Sequence, residues 1–333
     1  MQRQTPMPPQ LVELRNEAFN YVPSDPGWNY LRMMDQFTIL RSDVKSGMIT
    51  DPEAILTRAI KLDGELMHIF ANVPQGWRYE TVYTDTKNKI VWNGCYDIYY
   101  DAWISQIWNA MRSTRIMLNE MIRFRLIEGF KATPQHFATP EYRAQLQLST
   151  NTCVEMRDGI LRSVPLHCGY VNRKPFQSPY SSPEPSPPPS DMNIFDVNDT
   201  ITSFIDLLAD TSLPTLGINE SFERDLNYPM IGGYFLIWPL YLAGVTSVSP
   251  PEVKRFVART LHYVGDEVGI RQASNLAGFM EAHSMAGAQS PGGMKMTGER
   301  PNRPLLQMLA KEEAERVDRM SATTVRSVSI GAQ

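Results

Sequence analysis

The chain has 333 residues, of which 42% are hydrophobic and 20% charged. That is enough to bury a large core without disulfides or metal, and it is not the composition of a disordered segment. A formal net charge of -4 does not predict a chain-wide nucleic-acid footprint, which is normally basic.

Only three cysteines occur, Cys95, Cys153 and Cys168, with no close spacing. They make neither a disulfide framework nor a zinc motif and point to a reducing compartment. Met1 to Leu14 is polar and proline-rich, unlike a signal peptide. The longest apolar run, Met230 to Val245, contains Pro239 and is shorter than a spanning helix needs. It is expected to be a buried core helix, so no membrane association is predicted.

In chain order, residues 1–27 carry Pro6, Pro8, Pro9, Pro23 and Pro26 and are expected to form an irregular arm. Trp28 to Lys45 has Leu31, Met34, Phe37 and Leu40 at helical spacing, with Gly47 past its end. Asp51 and Pro52 form a helix start ahead of Ile55, Ala59, Leu62, Leu66 and Ile69. Trp77 to Tyr83 is strand-like and reads as a loop with a short hairpin. Tyr96 to Phe130 is free of proline and has a strong helical period, which predicts a central spine of about 30 residues and 45 Å. A helix from Pro140 to about His167 follows.

Residues 173–191 hold seven of the 25 prolines and five serines, the composition of an extended, solvated loop. Three serines there, Ser178, Ser182 and Ser186, precede proline and are candidate phosphorylation sites. Helices are expected over 196–208 and 221–245, the latter kinked at Pro239. Ser249 is expected to cap a helix from Pro250 that Gly269 interrupts, and Ile270 to Ala282 to form the last core helix. Residues 284–333 read as a glycine-rich loop, a charged helix over 305–319 and a flexible tail. The fold class is therefore all-α: a multi-helix domain over 28–283 around a long central helix, with a Pro/Ser-rich loop inserted.

No nucleotide-binding glycine motif, nucleophile elbow or H-E-x-x-H motif occurs. Asp97 and Asp101 stand four apart at the predicted start of the long helix. They could divide acid and base roles on one face or bind a divalent ion, but acidic residues in a first turn also suit the helix dipole. Arg112, Arg115, Arg123 and Arg125 spread round the same helix and read as a solvated flank with local ion pairs. Trp103, Trp108, Trp238 and Tyr241 belong to two aromatic groups. Core packing explains such rings, and the functional reading is the wall of an apolar pocket between helices. No catalytic, cofactor or metal residues are predicted.

Three stretches then carry a resemblance. The first is Tyr99-Tyr100-Asp101-Ala102-Trp103-Ile104-Ser105-Gln106-Ile107-Trp108, continuing to Glu120. The second is Ile160-Leu161-Arg162-Ser163-Val164-Pro165-Leu166-His167-Cys168-Gly169. The third is Tyr234-Phe235-Leu236-Ile237-Trp238-Pro239-Leu240-Tyr241-Leu242-Ala243-Gly244, with Tyr263 to Ala273 after it.

Together they resemble the C-terminal regulatory region of fungal binuclear zinc cluster transcription factors, over roughly residues 28–283. The resemblance implies an all-helical nuclear domain that restrains or tunes a DNA-binding head. It implies protein partners (itself, a full-length factor or the transcriptional machinery) and a small apolar effector as a further ligand. The family's head carries six closely spaced cysteines, and no cysteine here precedes residue 95. Direct base reading by this chain is therefore not expected. Two other classes stay open on the residues alone: an all-helical enzyme with an aromatic-lined pocket, and a purely structural dimerisation module.

Overall fold

The computed structural model describes residues 8–18, 20–21, 25–85, 88–171 and 229–288. Of these, 73% are helical, and the β structure is one two-stranded sheet, so the chain is mainly α. The elements are α1 (Pro9–Ala18), α2 (Pro26–Ser46), α3 (Pro52–Ala71), a 3-10 turn (Gln75–Trp77), β1 (Glu80–Tyr83), β2 (Cys95–Ile98), α4 (Ala102–Lys131), α5 (Pro140–Arg162), α6 (Val164–His167), α7 (Pro229–Val245), α8 (Pro251–Asp266) and α9 (Arg271–Ala288).

Local chemistry sets most of the boundaries. Asp25 Oδ1 accepts the Trp28 N–H at 2.8 Å, with Pro26 in the first turn of α2. Asp51 accepts from Glu53 and Ala54 ahead of α3, and Asp101 accepts from Ile104 at 2.7 Å ahead of α4. Each cap satisfies backbone donors that a helix start leaves open. Gly47 ends α2 in the left-handed region at φ 76°, a conformation that favours glycine.

Helix α4 is the spine, 30 residues long, and packs against α2, α3, α5 and α7. Helix α7 in turn packs against α5, α6, α8 and α9. One apolar cluster joins Phe37 and Leu40 of α2, Leu56 and Leu66 of α3, and Leu118, Ile122 and Leu126 of α4. It continues through Ile160 of α5 and Leu240 of α7 to Leu261 of α8. Each such side chain contributes on the order of 1.5–3 kcal/mol by leaving water.

Several expectations change. Residues 95–98 are not the start of the long helix. They form β2, antiparallel to β1, with Thr81 opposite Asp97 and Val82 opposite Tyr96. A turn with positive φ at Asn93 (50°) and Gly94 (68°) leads into this strand, and the Asp101 cap starts α4 only after it. Asp97 and Asp101 therefore do not share a helix face. Residues 9–18 of the expected irregular arm are helical, because Pro9 occupies a first-turn position where proline is tolerated.

The helix expected to reach His167 divides at Ser163 into α5 and α6. Ser249 does not cap α8. Its Oγ donates to the Ala243 carbonyl at 2.6 Å, and Pro250 stands at the cap position. Pro239 lies inside α7 as expected. Gly269, at φ 82°, separates α8 from α9, and α9 continues to Ala288, past the expected end at Ala282. The Pro/Ser-rich segment 173–191 with Ser178, Ser182 and Ser186, the helices expected over 196–208 and 305–319, and the tail lie outside the described residues. Among the described residues no helix is long and apolar enough to cross a membrane.

Candidate functional site

The four predicted pocket residues stand in different surroundings. Trp103, in the first turn of α4, is 54% exposed. Trp108 packs edge-on against Phe70 and Tyr79, both at 5.0 Å between ring centroids, and its indole N–H donates to the Trp77 carbonyl at 2.8 Å. Trp238 and Tyr241 do come together, stacked at 5.8 Å. Burial pushes the Tyr241 phenol up to about 12, so it stays neutral.

The concentration of chemistry lies elsewhere, in a polar seam buried where α4, α5, α6 and β2 meet. Ser105, Asn109 and Arg112 recur at helical spacing on one side of α4, and all three are buried. Arg112 is 2% exposed. Its Nη1 donates to the Tyr99 hydroxyl at 2.6 Å, to Asn109 Oδ1 at 3.1 Å and to the Gly159 carbonyl at 3.1 Å. Its Nη2 faces Asp97 Oδ2 at 3.5 Å.

Three rings surround the same guanidinium, Tyr79 at 5.1 Å, Trp108 at 5.4 Å and Tyr99 at 5.7 Å, a geometry that attracts a cation to aromatic faces. Burial works against its charge, but Tyr99, Tyr79 and Asp97 outweigh burial and hold Arg112 cationic. Burial lifts the Tyr99 phenol well above its ordinary range, so that ring stays protonated. Gly159 makes the approach possible, since a Cβ there would lie 2.6 Å from Arg112 Nε.

Asp97 is fully buried and collects donors from several elements. Thr81 Oγ1 donates at 2.8 Å, the Tyr99 hydroxyl at 3.3 Å and Arg162 Nε at 3.2 Å. A buried carboxylate facing two guanidiniums is well compensated, as a buried charge must be. Asp97 is thus a tie between the hairpin and the helices, and Asp101 is a helix cap.

Next along α4, His167 Nε2 lies 2.9 Å from Ser105 Oγ and 3.2 Å from Asn109 Nδ2. The Asn109 amide nitrogen can only donate, and the amide oxygen is held by Arg112, so Nε2 is the acceptor and the Ser105 hydroxyl donates to it. Asn109 Nδ2 also donates to Ser163 Oγ at 2.8 Å. Burial first and the Arg112 charge second pull the imidazole down to about 4, against a smaller contribution from the Gly232 backbone.

A serine hydroxyl on a neutral imidazole is the distance relation of a nucleophile and its base. Here both side chains are fully buried, and so low a pKa makes a weak base near neutrality. The pair is suited to holding α6 on α4.

The arginines of α4 correct the solvated-flank expectation in part. Arg115 is buried and grips Asp63 of α3 with two bonds, 2.7 and 3.0 Å. Arg123 and Arg125 do form local pairs, with Glu120 and Glu128. Among the described residues no group of three or more His, Cys, Asp or Glu side chains could hold a metal ion. The three cysteines are free thiols, and burial pushes Cys153 up to about 12. The stripe Ser105, Asn109, Arg112 at i, i+4 and i+7 is the sequence signal that marks the seam.

No family model, curated protein or solved structure matches the chain.

Proposed function

We propose that this chain is a nuclear regulatory domain of the fungal binuclear zinc cluster transcription factor type. It acts through protein contacts, with a small apolar effector as a second ligand and without reading bases itself. One observation supports this reading above the others: the segments that carry the resemblance pack on one another as a single unit. Ser105 and Asn109 of the first bond His167 and Ser163 of the second. Helix α7, which holds the third, packs on α4, α5 and α6. Tying distant segments by buried hydrogen bonds favours one well-defined arrangement, which a domain that restrains a neighbour requires. An enzyme reading has less support, because the Ser105–His167 pair is sealed.

The test is a reporter assay in fungal cells. The full chain is fused to an unrelated activating DNA-binding head, and intact, nuclear fusion is verified by blotting and imaging. The fusion is expected to lower the head's output, and Arg112→Met is expected to relieve that restraint. Output equal to that of the head alone, from an intact nuclear fusion, would overturn the proposal.

A further inference from the structure

The turn from α7 to α8 is held by a contact that is both consequential and accessible. Glu120 of α4 accepts from Ser247 N–H at 2.9 Å, and its two carboxylate oxygens each lie 2.9 Å from Ser247 Oγ. The Thr246 hydroxyl also donates to Glu120, and Arg123 Nη1 donates to Ser247 Oγ. Beside them, Arg157 Nη1 donates to the Val248 carbonyl at 3.0 Å. These bonds join residues about 90 to 127 apart in sequence and clamp the turn onto α4 and α5. Ser105 and Ser163, which also bridge elements, are buried. Ser247 bridges them while remaining exposed.

From this geometry we propose that Ser247 is a phosphorylation site that releases the α7–α8 turn. Its Oγ attacks the γ-phosphorus of a nucleoside triphosphate on a protein kinase. The new O–P bond replaces the bridging P–O bond, the nucleoside diphosphate departs, and the hydroxyl proton is lost. The product carries roughly two negative charges in place of a neutral donor.

Its oxygens then face the Glu120 carboxylate, which loses the Ser247 hydroxyl as a partner and repels the new group. Among the described residues Arg123 is the only cation bonded to Ser247, and it is drawn from Glu120 to the phosphate. Thr246, buried just before, loses its acceptor's position as Glu120 moves. The contact that closes the turn becomes one that opens it. This inference stands on the Glu120 contacts and does not depend on the transcriptional reading.

Two measurements test it. The first is phosphopeptide mass spectrometry of the full chain purified from its own source with phosphatase inhibitors. It is expected to find phosphate on Ser247, and its absence there under conditions that preserve other phosphosites would overturn the proposal. The second is hydrogen exchange on full chain carrying phosphoserine at 247 by encoded incorporation, against the unmodified chain. Amides of the turn, Ser247 and Ser249 among them, are expected to exchange at least about tenfold faster in the phosphorylated form. Glu120→Gln in the phosphorylated chain, which removes the repelling charge, is expected to restore much of that protection. Equal or slower exchange in the phosphorylated chain would overturn the proposal, as would a loss of protection that E120Q leaves unchanged.

Discussion

Replacing Arg112 with methionine removes one cation from a site designed around it. The side chain volume is nearly kept, so the change is chiefly electrostatic. Asp97, fully buried, would retain Arg162 and Thr81 but lose the more deeply buried of its two cations. Breaking a buried pair by removing one partner costs about 3–5 kcal/mol, and the surviving Arg162 contact places Asp97 toward the lower end. The Gly159 carbonyl and Asn109 Oδ1 also lose their donor, at about 1–3 kcal/mol for a buried group left unpaired.

A total of about 5 kcal/mol, with each contribution at its lower end, is a large part of the roughly 5–15 kcal/mol that holds a typical domain together. Urea unfolding, followed by tryptophan fluorescence and far-ultraviolet dichroism, measures it. Adding Asp97→Asn to Arg112→Met neutralises the stranded carboxylate, while Arg162, 23% exposed at its side chain, turns to water. The double variant is expected to be more stable than the sum of the single effects by about 1 kcal/mol or more. A single variant within about 1 kcal/mol of the parent, or strict additivity, would refute the account of the seam.

His167 makes stability depend on pH. Its folded-state value of about 4 lies below the ordinary 6.5, so the unfolded chain binds the proton more readily. The contribution is therefore fully present above pH 6.5 and lost as pH falls toward 4, with a ceiling of about 3 kcal/mol. In His167→Gln the slope of unfolding free energy against pH between 6.5 and 4 should be shallower than in the parent, and an unchanged slope would count against a neutral buried imidazole.

Glycines provide a contrast in one experiment. Gly159→Ala would place a Cβ 2.6 Å from Arg112 Nε and should cost about 2 kcal/mol, whereas Gly64→Ala, where nothing lies within 4 Å, should stabilise by about 0.5–1 kcal/mol. Thermal unfolding of the two variants reports the sign of each.

Much of the helical frame was legible in the residues. Asp51 with Pro52 marked the start of α3, Gly47 the end of α2 and Gly269 the break between α8 and α9, because caps and left-handed glycines act within a few residues. The prolines misled at the N-terminus, since Pro9 and Pro26 open helices as readily as they interrupt them. Tyr96 to Tyr100 misled for another reason. Its aromatic and apolar residues fit a helical period, yet pairing with Glu80–Tyr83 placed four of the residues from Cys95 in a strand. The candidate site was the least legible part. Trp103 and Trp108 look alike in sequence, five residues apart, and one is solvated while the other packs on Phe70 and Tyr79.

The sequence by itself determined an all-α chain with α4 as its spine, because helical periodicity and capping are written into neighbouring residues. Only the tertiary structure decided that Arg112 is buried and Trp103 is not, or that Asp97 belongs to a strand. A buried charge is stable only beside its partners, and those of Arg112 and Asp97 lie as far as 47 and 65 residues away along the chain. No local window contains them, so their meeting is a property of the packed helices rather than of any one segment.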